Sequence, residues 1–377
     1  KDSSGYADMF RRVCTHPDAE AGVTWGEYDF QQMIRRDRNA PSIIMWSLGN
    51  EVYENNEEAV EWIRKAAEEL VPQADPAGHL LTAGDNQFKR ITSYNGNGSR
   101  ARMNANLDVV GLNYSEEQYD NFHNNWEPDW ILYGSETASA VSSRGWYSDP
   151  DKTTGASAIE EYNLSSYDNS SVSWGRTATD SLIPDRDRKY IAGQFVWTGF
   201  DYIGEPSPFG SKGGSSQSGP KSSFFGAVDT AGFAKDNYYL YQSQWLDRKS
   251  DPMVHILPHW NWEDEDLREL VTVDGKIPVR VYSNASAVEL FVNGVSQGKK
   301  EFARMETDYG VSYQQQSEDS DRLYLEWPLT WNYAVGTSIE AVAYDESGAE
   351  IARDQMVTAG EPAGLSAESD RSVISAD

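Results

Sequence analysis

The chain has 377 residues, enough for two or three domains with a sizeable core. Sixty Asp and Glu against 32 Lys and Arg leave a formal charge of −28, a field that repels phosphate backbones and anionic membrane surfaces, so nucleic acid and acidic lipid are poor partners. One cysteine, Cys14, forms no internal disulfide, the five histidines lack zinc-site spacing, and no run of about 18 apolar residues offers a membrane-spanning helix.

The first helix is expected from about Thr24 to Asp37: Thr24 and Glu27 have capping-box spacing, and Phe30, Met33 and Ile34 form an apolar stripe. After Pro41, the run Ser42 to Leu48 reads as a strand buried on both faces, stopping at Gly49-Asn50-Glu51. A second helix, about Glu57 to Val71, aligns Val60, Ile63, Ala67 and Leu70 on one face, with acids early in the segment as the helix dipole favours. Further strands are expected at Leu80–Gly84, Leu107–Asn113, Trp130–Gly134 and Ile191–Trp197. Five buried strands with helical or loop-rich connections make an α/β fold of the barrel or doubly wound kind. Long loops run from Val141 to Lys189 and from Gly210 to Ser223. Near Pro252 the pattern changes to period two, with a hairpin turn at Asn293-Gly294 and strands at Leu323–Trp327 and Ser338–Tyr344. Residues 252–360 therefore read as a β-sandwich. A short polar tail follows.

Two glutamates stand out. Glu51 follows the first apolar strand and Glu136 closes Tyr133-Gly134-Ser135 after the fourth, so both belong at strand carboxyl ends, where βα folds place their chemistry. Two carboxylates on one rim can cleave a glycosidic bond; a Glu at a strand end can equally be solvated or cap the next helix. Trp197 could stack on a sugar ring, whereas Trp46 reads as core. Tyr114 could hydrogen-bond a carboxylate or pack under a loop. None of the histidines sits at a strand end, so they read as packing or surface residues. Cys14 has no mark of a reactive thiol.

Three blocks carry a family resemblance. Asn39 to Glu51 (NAPSIIMWSLGNE), Gly134 to Ser139 (GSETAS) and Gly193 to Tyr202 (GQFVWTGFDY) closely resemble glycoside hydrolase family 2, particularly its bacterial β-galactosidases, in the family's order. The resemblance implies a (β/α)8 TIM barrel, of which strands 4–8 are apparent, followed by an immunoglobulin-like sandwich: a catalytic portion at 1–250, the sandwich at 251–360, and a linker or the start of a further domain at 361–377. It implies Glu51 as acid/base, Glu136 as nucleophile, Asn50 on the sugar 2-hydroxyl, Tyr114 on the nucleophile and Trp197 at the floor of the sugar site, with Asp201 and Glu205 as further hydroxyl ligands. Glu51 must hold its proton near neutral pH, which calls for a carboxyl raised by its neighbour and by partial burial. The glucuronidase Asn-x-Lys pair has no counterpart in Ser222 to Asp229, which favours a neutral sugar.

The implied activity is a retaining exo-β-galactosidase, with transgalactosylation when a second sugar is the acceptor, and no cofactor or metal. Its alternatives are another retaining hydrolase of the family, such as a β-mannosidase, and a non-catalytic carbohydrate-binding fragment. In the second case the sandwich would have only Trp260 and Trp262 as exposed aromatics. Family members carry further domains and barrel strands 1–3 ahead of the matched segment, so the expected partner is the missing N-terminal part of the same polypeptide. Scarce cysteine and strong acidity suit a secreted or cell-surface bacterial enzyme, and equally a cytoplasmic one.

Overall fold

The computed structural model describes residues 11–52, 55–152, 154–155, 162–209, 220–332, 334–368 and 371. Most of the Gly210–Ser223 segment and the last residues of the tail lie outside that set. Among the described residues no helix is long and apolar enough to cross a membrane. The chain divides into two compact units, one of residues 1–146, 151–238 and 305–313, the other of 147–150, 239–304 and 314–377.

In the first unit, helix α1 (Trp25–Asp37) starts with the expected capping box: the Thr24 hydroxyl accepts from the Glu27 amide and the Glu27 carboxylate accepts from the Thr24 amide. Five strands follow: β1 (Met45–Asn50), β2 (Leu80–Asp85), β3 (Val109–Asn113), β4 (Ile131–Ala138) and β5 (Ile191–Trp197). They form one sheet in the order β1-β2-β3-β4-β5, every pairing parallel. A doubly wound sheet reverses its order at a switch point; this one runs straight through, as a barrel does. Helix α2 (Glu57–Lys65), capped by Asn56, continues as a π-turn at Ala66–Leu70, which holds Ile63, Ala66 and Leu70 against Trp46, Leu48 and Leu81.

The expected double-sided burial of the first strand is not observed. β1 begins at Met45; Trp46 and Leu48 are buried, but Ser47 is exposed and Ile44, just before the strand, keeps 67% of its surface in solvent. Among the named strands, β1 and β5 each have a neighbour on one side only, whereas β3, in the middle, is buried at all of its positions. Burial of an apolar run here follows sheet position, which periodicity does not encode.

The second unit holds two antiparallel sheets. Strands β6 (Val254–Leu257), β7 (Ile277–Ser283) and β10 (Leu325–Leu329) form one in the order β10-β7-β6; β8 (Ala287–Val292), β9 (Val295–Glu301), β11 (Ser338–Tyr344) and β12 (Glu350–Val357) form the other in the order β9-β8-β11-β12. Asn293 and Gly294 have φ of 49° and 74°, the two left-handed residues of a type I′ hairpin. Trp260 and Trp262, expected to be exposed, are 1% and 2% accessible; Trp262 stacks on His259 at 4.3 Å. Burial takes the two indoles away from the surface that a lectin reading of this unit needs.

Candidate active site

The carboxyl ends of β1 to β5 build the site. The ladder pairs Asn50 with Gly84, Gly84 with Gly111, and Asn113 with Glu136, and the register slips between Ser47 and Asn50 and between Gly111 and Asn113. Such slips re-aim the side chains that follow them. Glu51 and Tyr114 come immediately after, both with left-handed backbone, φ 50° and 51°; Ala138, the last residue of β4, and Ser139 after it are left-handed too, at 64° and 55°. Non-glycine residues held there cost about 1–3 kcal/mol each and gather where a site imposes them.

Asn50, Glu51, Tyr114, Glu136, Trp197 and Glu205 all line one cavity of about 360 Å³. Six of the seven residues expected at the site thus share one space. A larger groove of about 790 Å³ runs along α1 and α2, lined in part by Phe30, Met33, Ala59 and Trp62, away from Glu136 and Trp197.

Within the site the Tyr114 hydroxyl donates to Glu136 Oε1 at 2.5 Å. That commits its only hydrogen, so the Ser139 hydroxyl, 2.7 Å away, donates to the phenol oxygen. Asn113, fully buried, aims one amide nitrogen at three acceptors: Asn50 Oδ1 at 3.0 Å, Glu51 Oε1 at 3.2 Å and Glu136 Oε2 at 3.3 Å. The Ser135 hydroxyl donates to Asn113 Oδ1 at 2.5 Å. Sharing one nitrogen keeps the two carboxylate oxygens within 6.5 Å of each other, the sum of the two bonds.

Two glycines make this layer possible. A Cβ on Gly84 would come within 2.4 Å of Asn50 Oδ1 and 2.9 Å of Asn113 Oδ1; one on Gly111 would meet Ser135 Oγ at 2.5 Å and the Ala83 carbonyl at 2.6 Å.

Burial pushes the Glu136 carboxyl above its ordinary value, and the charges of Glu51 and Glu205 push the same way; hydrogen bonds from Tyr114 and Asn50 oppose them. Burial beside Glu136 also raises the Tyr114 phenol, which keeps it protonated as a donor. Glu205 accepts from the Tyr202 hydroxyl. Trp197, whose peptide to Thr198 is cis, meets Tyr202 edge-on at 5.9 Å.

Asp201 is absent from the cavity lining. Its carboxylate pairs with the buried Lys235 at 2.6 Å and accepts from the Gly226 amide at 2.7 Å and the Ser223 hydroxyl at 3.3 Å. Those partners engage the oxygens that a sugar hydroxyl would need. Trp46 is core, its indole N–H donating to Asp75 at 2.9 Å. Asn86, Lys89, Ser139, Trp174 and Phe225 also line the cavity, and sequence reasoning singled out none of them. Asn86 and Lys89 lie just beyond β2, where strand-end position is a usable signal. Ser135 and Ser139 lie inside the Gly134–Ser139 block. Asn113 is a polar end to an apolar strand, whereas Trp174 and Phe225 carry no local mark.

Residues 23–119 match the family model described as glycosyl hydrolases family 2, TIM barrel domain. A β-galactosidase of Bacteroides ovatus, BoGH2A, is 36% identical over 98% of this chain and 43% of its own length. The chain belongs to glycosyl hydrolase family 2. A putative β-glucuronidase of Formosa agariphila is 32% identical over 77% of this chain and 27% of its own length. The solved structure of a β-glycosidase from Bacteroides vulgatus superposes with a TM-score of 0.66 at 28% identity, covering 92% of this chain and 40% of that one. This family 2 chain therefore spans less than half the length of these relatives. Residues 274–352, in the part of the chain that carries β7 to β12, match a family described only as a domain of unknown function, DUF4982.

Proposed function

We propose that this family 2 chain carries the catalytic carboxylates of a retaining exo-β-galactosidase. In this reading the Glu136 carboxylate attacks the anomeric carbon while the Glu51 proton passes to the leaving oxygen as the glycosidic bond breaks. Water, or a second sugar hydroxyl, then gives its proton to Glu51 and displaces Glu136, which leaves as the carboxylate. Asn50 takes the sugar 2-hydroxyl, Trp197 the apolar ring face and Glu205 a hydroxyl, while Tyr114 stabilises Glu136 as an anion. The observation that carries the reading is the shared Asn113 nitrogen: a limit of 6.5 Å between the carboxylate oxygens suits the roughly 5–5.5 Å spacing of retaining enzymes better than the 6.5–9.5 Å of inverting ones. The galactose preference rests on the resemblance to BoGH2A and on the absence of an Asn-x-Lys pair in Ser222 to Asp229. Strands β1 to β5 would be the barrel portion within 1–250, and β6 to β12 an immunoglobulin-like sandwich within 251–360.

A β-glucuronidase is the second reading. Lys89 supports it as a cation lining the catalytic cavity, where a sugar carboxylate could meet it, and the Formosa agariphila relative bears that description. Nitrophenyl β-galactoside, β-glucuronide and β-mannoside, assayed in parallel on the full-length protein with Glu51→Gln and Glu136→Gln as controls, decide among the readings. Galactoside turnover abolished by Glu136→Gln supports the first; glucuronide turnover lost in Lys89→Met supports the second. Saturable sugar binding without turnover would leave a carbohydrate-binding module.

A further inference from the structure

We propose that Asn113 is a positioning residue that holds Glu51 and Glu136 at their working separation and couples the protonation of one to that of the other, with Ser135 setting the orientation of its amide. The inference rests on the two-carboxylate reading above.

An amide side chain has two N–H hydrogens and one carbonyl oxygen. The Ser135 hydroxyl donates to the oxygen side at 2.5 Å, which turns the NH2 toward the carboxylates. Three acceptors at 3.0–3.3 Å then compete for two hydrogens. Asn113 is 0% accessible, so solvent does not compete for its amide hydrogens, which are left to these acceptors. The bare Cα atoms of Gly84 and Gly111 leave room for this pair, because a Cβ on either would strike Asn113 Oδ1 or Ser135 Oγ.

An N–H donor favours an ionised carboxylate. With free enzyme the amide supports Glu136, the anion that must attack. Once Glu136 is esterified it has lost its charge, and the same amide can strengthen its bond to Glu51, now ionised by loss of its proton to the leaving group. One donor thus serves whichever carboxylate is charged. The other groups facing the pair are Tyr114 and Asn50, which donate toward Glu136, the Glu205 carboxylate with its Tyr202 partner, Lys89, whose ammonium lies 5.8 Å from the centre of the Tyr114 ring, and Asp85, which pairs with Arg100 and feels the charge of Glu51. Among the described residues, Asn113 bonds to both carboxylates.

The test compares Asn113→Asp and Ser135→Ala with the full-length wild type. Asn113→Asp keeps the shape but replaces the donor by a third carboxylate; Ser135→Ala keeps the amide and frees its orientation. The readouts are the pH profile of kcat/KM and the titration of Glu136 followed by carboxyl 13C NMR in glutamate-labelled protein, assigned with Glu136→Gln. Asn113→Asp is expected to lower kcat/KM about tenfold to a hundredfold, the range of a lost charge-assisted bond, and to move the acid limb and the Glu136 titration upward together. Ser135→Ala moves both in the same direction by less, and it carries the test alone if Asn113→Asp does not fold. Activity that falls while the Glu136 titration stays in place overturns the proposal and leaves Asn113 a packing residue. The titration needs no substrate: a wild type inactive on every glycoside, with Glu136 still responding to Asn113, overturns the glycosidase reading and keeps the coupling.

Discussion

Replacing Tyr114 by phenylalanine removes one oxygen from a buried side chain and, with it, the 2.5 Å bond to Glu136. Hydrogen bonds to charged groups contribute about 1.5–3 kcal/mol. At about 1.4 kcal/mol per pH unit, full loss would raise the Glu136 carboxyl by roughly one to two units. The Ser139 hydroxyl also loses its acceptor at 2.7 Å and can turn toward the carboxylate, so the lower end is expected. Glu136 already lies above its ordinary value through burial. The variant should therefore lose activity on the acid side first, the acid limb of kcat/KM moving up by about one unit and the plateau falling roughly tenfold. The assay is hydrolysis of nitrophenyl glycoside by full-length protein from pH 4 to 9, in about half-unit steps. A reduced plateau with the acid limb in its wild-type position would refute the claim that Tyr114 acts by stabilising the Glu136 anion.

Glu136→Gln should abolish turnover yet stabilise the fold at neutral pH. A carboxyl raised in the folded state binds more protons there than when unfolded, so its destabilising effect grows as pH rises from the ordinary value through the raised one; the gain in Tm should be present at pH 7 and vanish near pH 4. Glu51→Gln should lower the rate by about 10²–10⁴-fold on substrates with poor leaving groups, and much less on activated nitrophenyl glycosides, a contrast read by comparing the two kcat values. In Gly84→Ala the new methyl group must displace Asn50 Oδ1, so KM should rise and kcat fall together; wild-type kinetics would contradict the close packing described. Lys235→Met leaves Asp201 buried without its cation and should cost about 3–5 kcal/mol in urea unfolding, with much of that restored by adding Asp201→Asn.

Much of the local organisation was legible in the chain. The capping box at Thr24 and the hairpin at Asn293-Gly294 depend on contacts within a few residues, and the five strands are marked by their apolar runs. The place of Glu51 just past β1 was legible for the same reason, two residues beyond its apolar run; Glu136 follows its run at the same spacing but lies inside β4, which continues to Ala138. The family resemblance then assigned Asn50, Tyr114, Trp197 and Glu205 to the site, and all four line the cavity.

Only the tertiary structure decided which of these ends meet, and through what. The Asn113 bond to Glu51 crosses 62 residues and the one to Glu136 crosses 23, separations at which no local pattern constrains a distance. Asp201 looked like a sugar ligand until Lys235 was found beside it, and Trp260 and Trp262 looked exposed until their neighbours were known. Strand Met45–Asn50 has an apolar run suited to double-sided burial, but its place at one end of the sheet order leaves Ser47 exposed. The sequence by itself determined the alternation of elements and the chemistry available at their ends, because those follow from backbone preference and short-range spacing. The partners of each charged group were decided by the sheet order and by two glycines that let distant side chains share one layer.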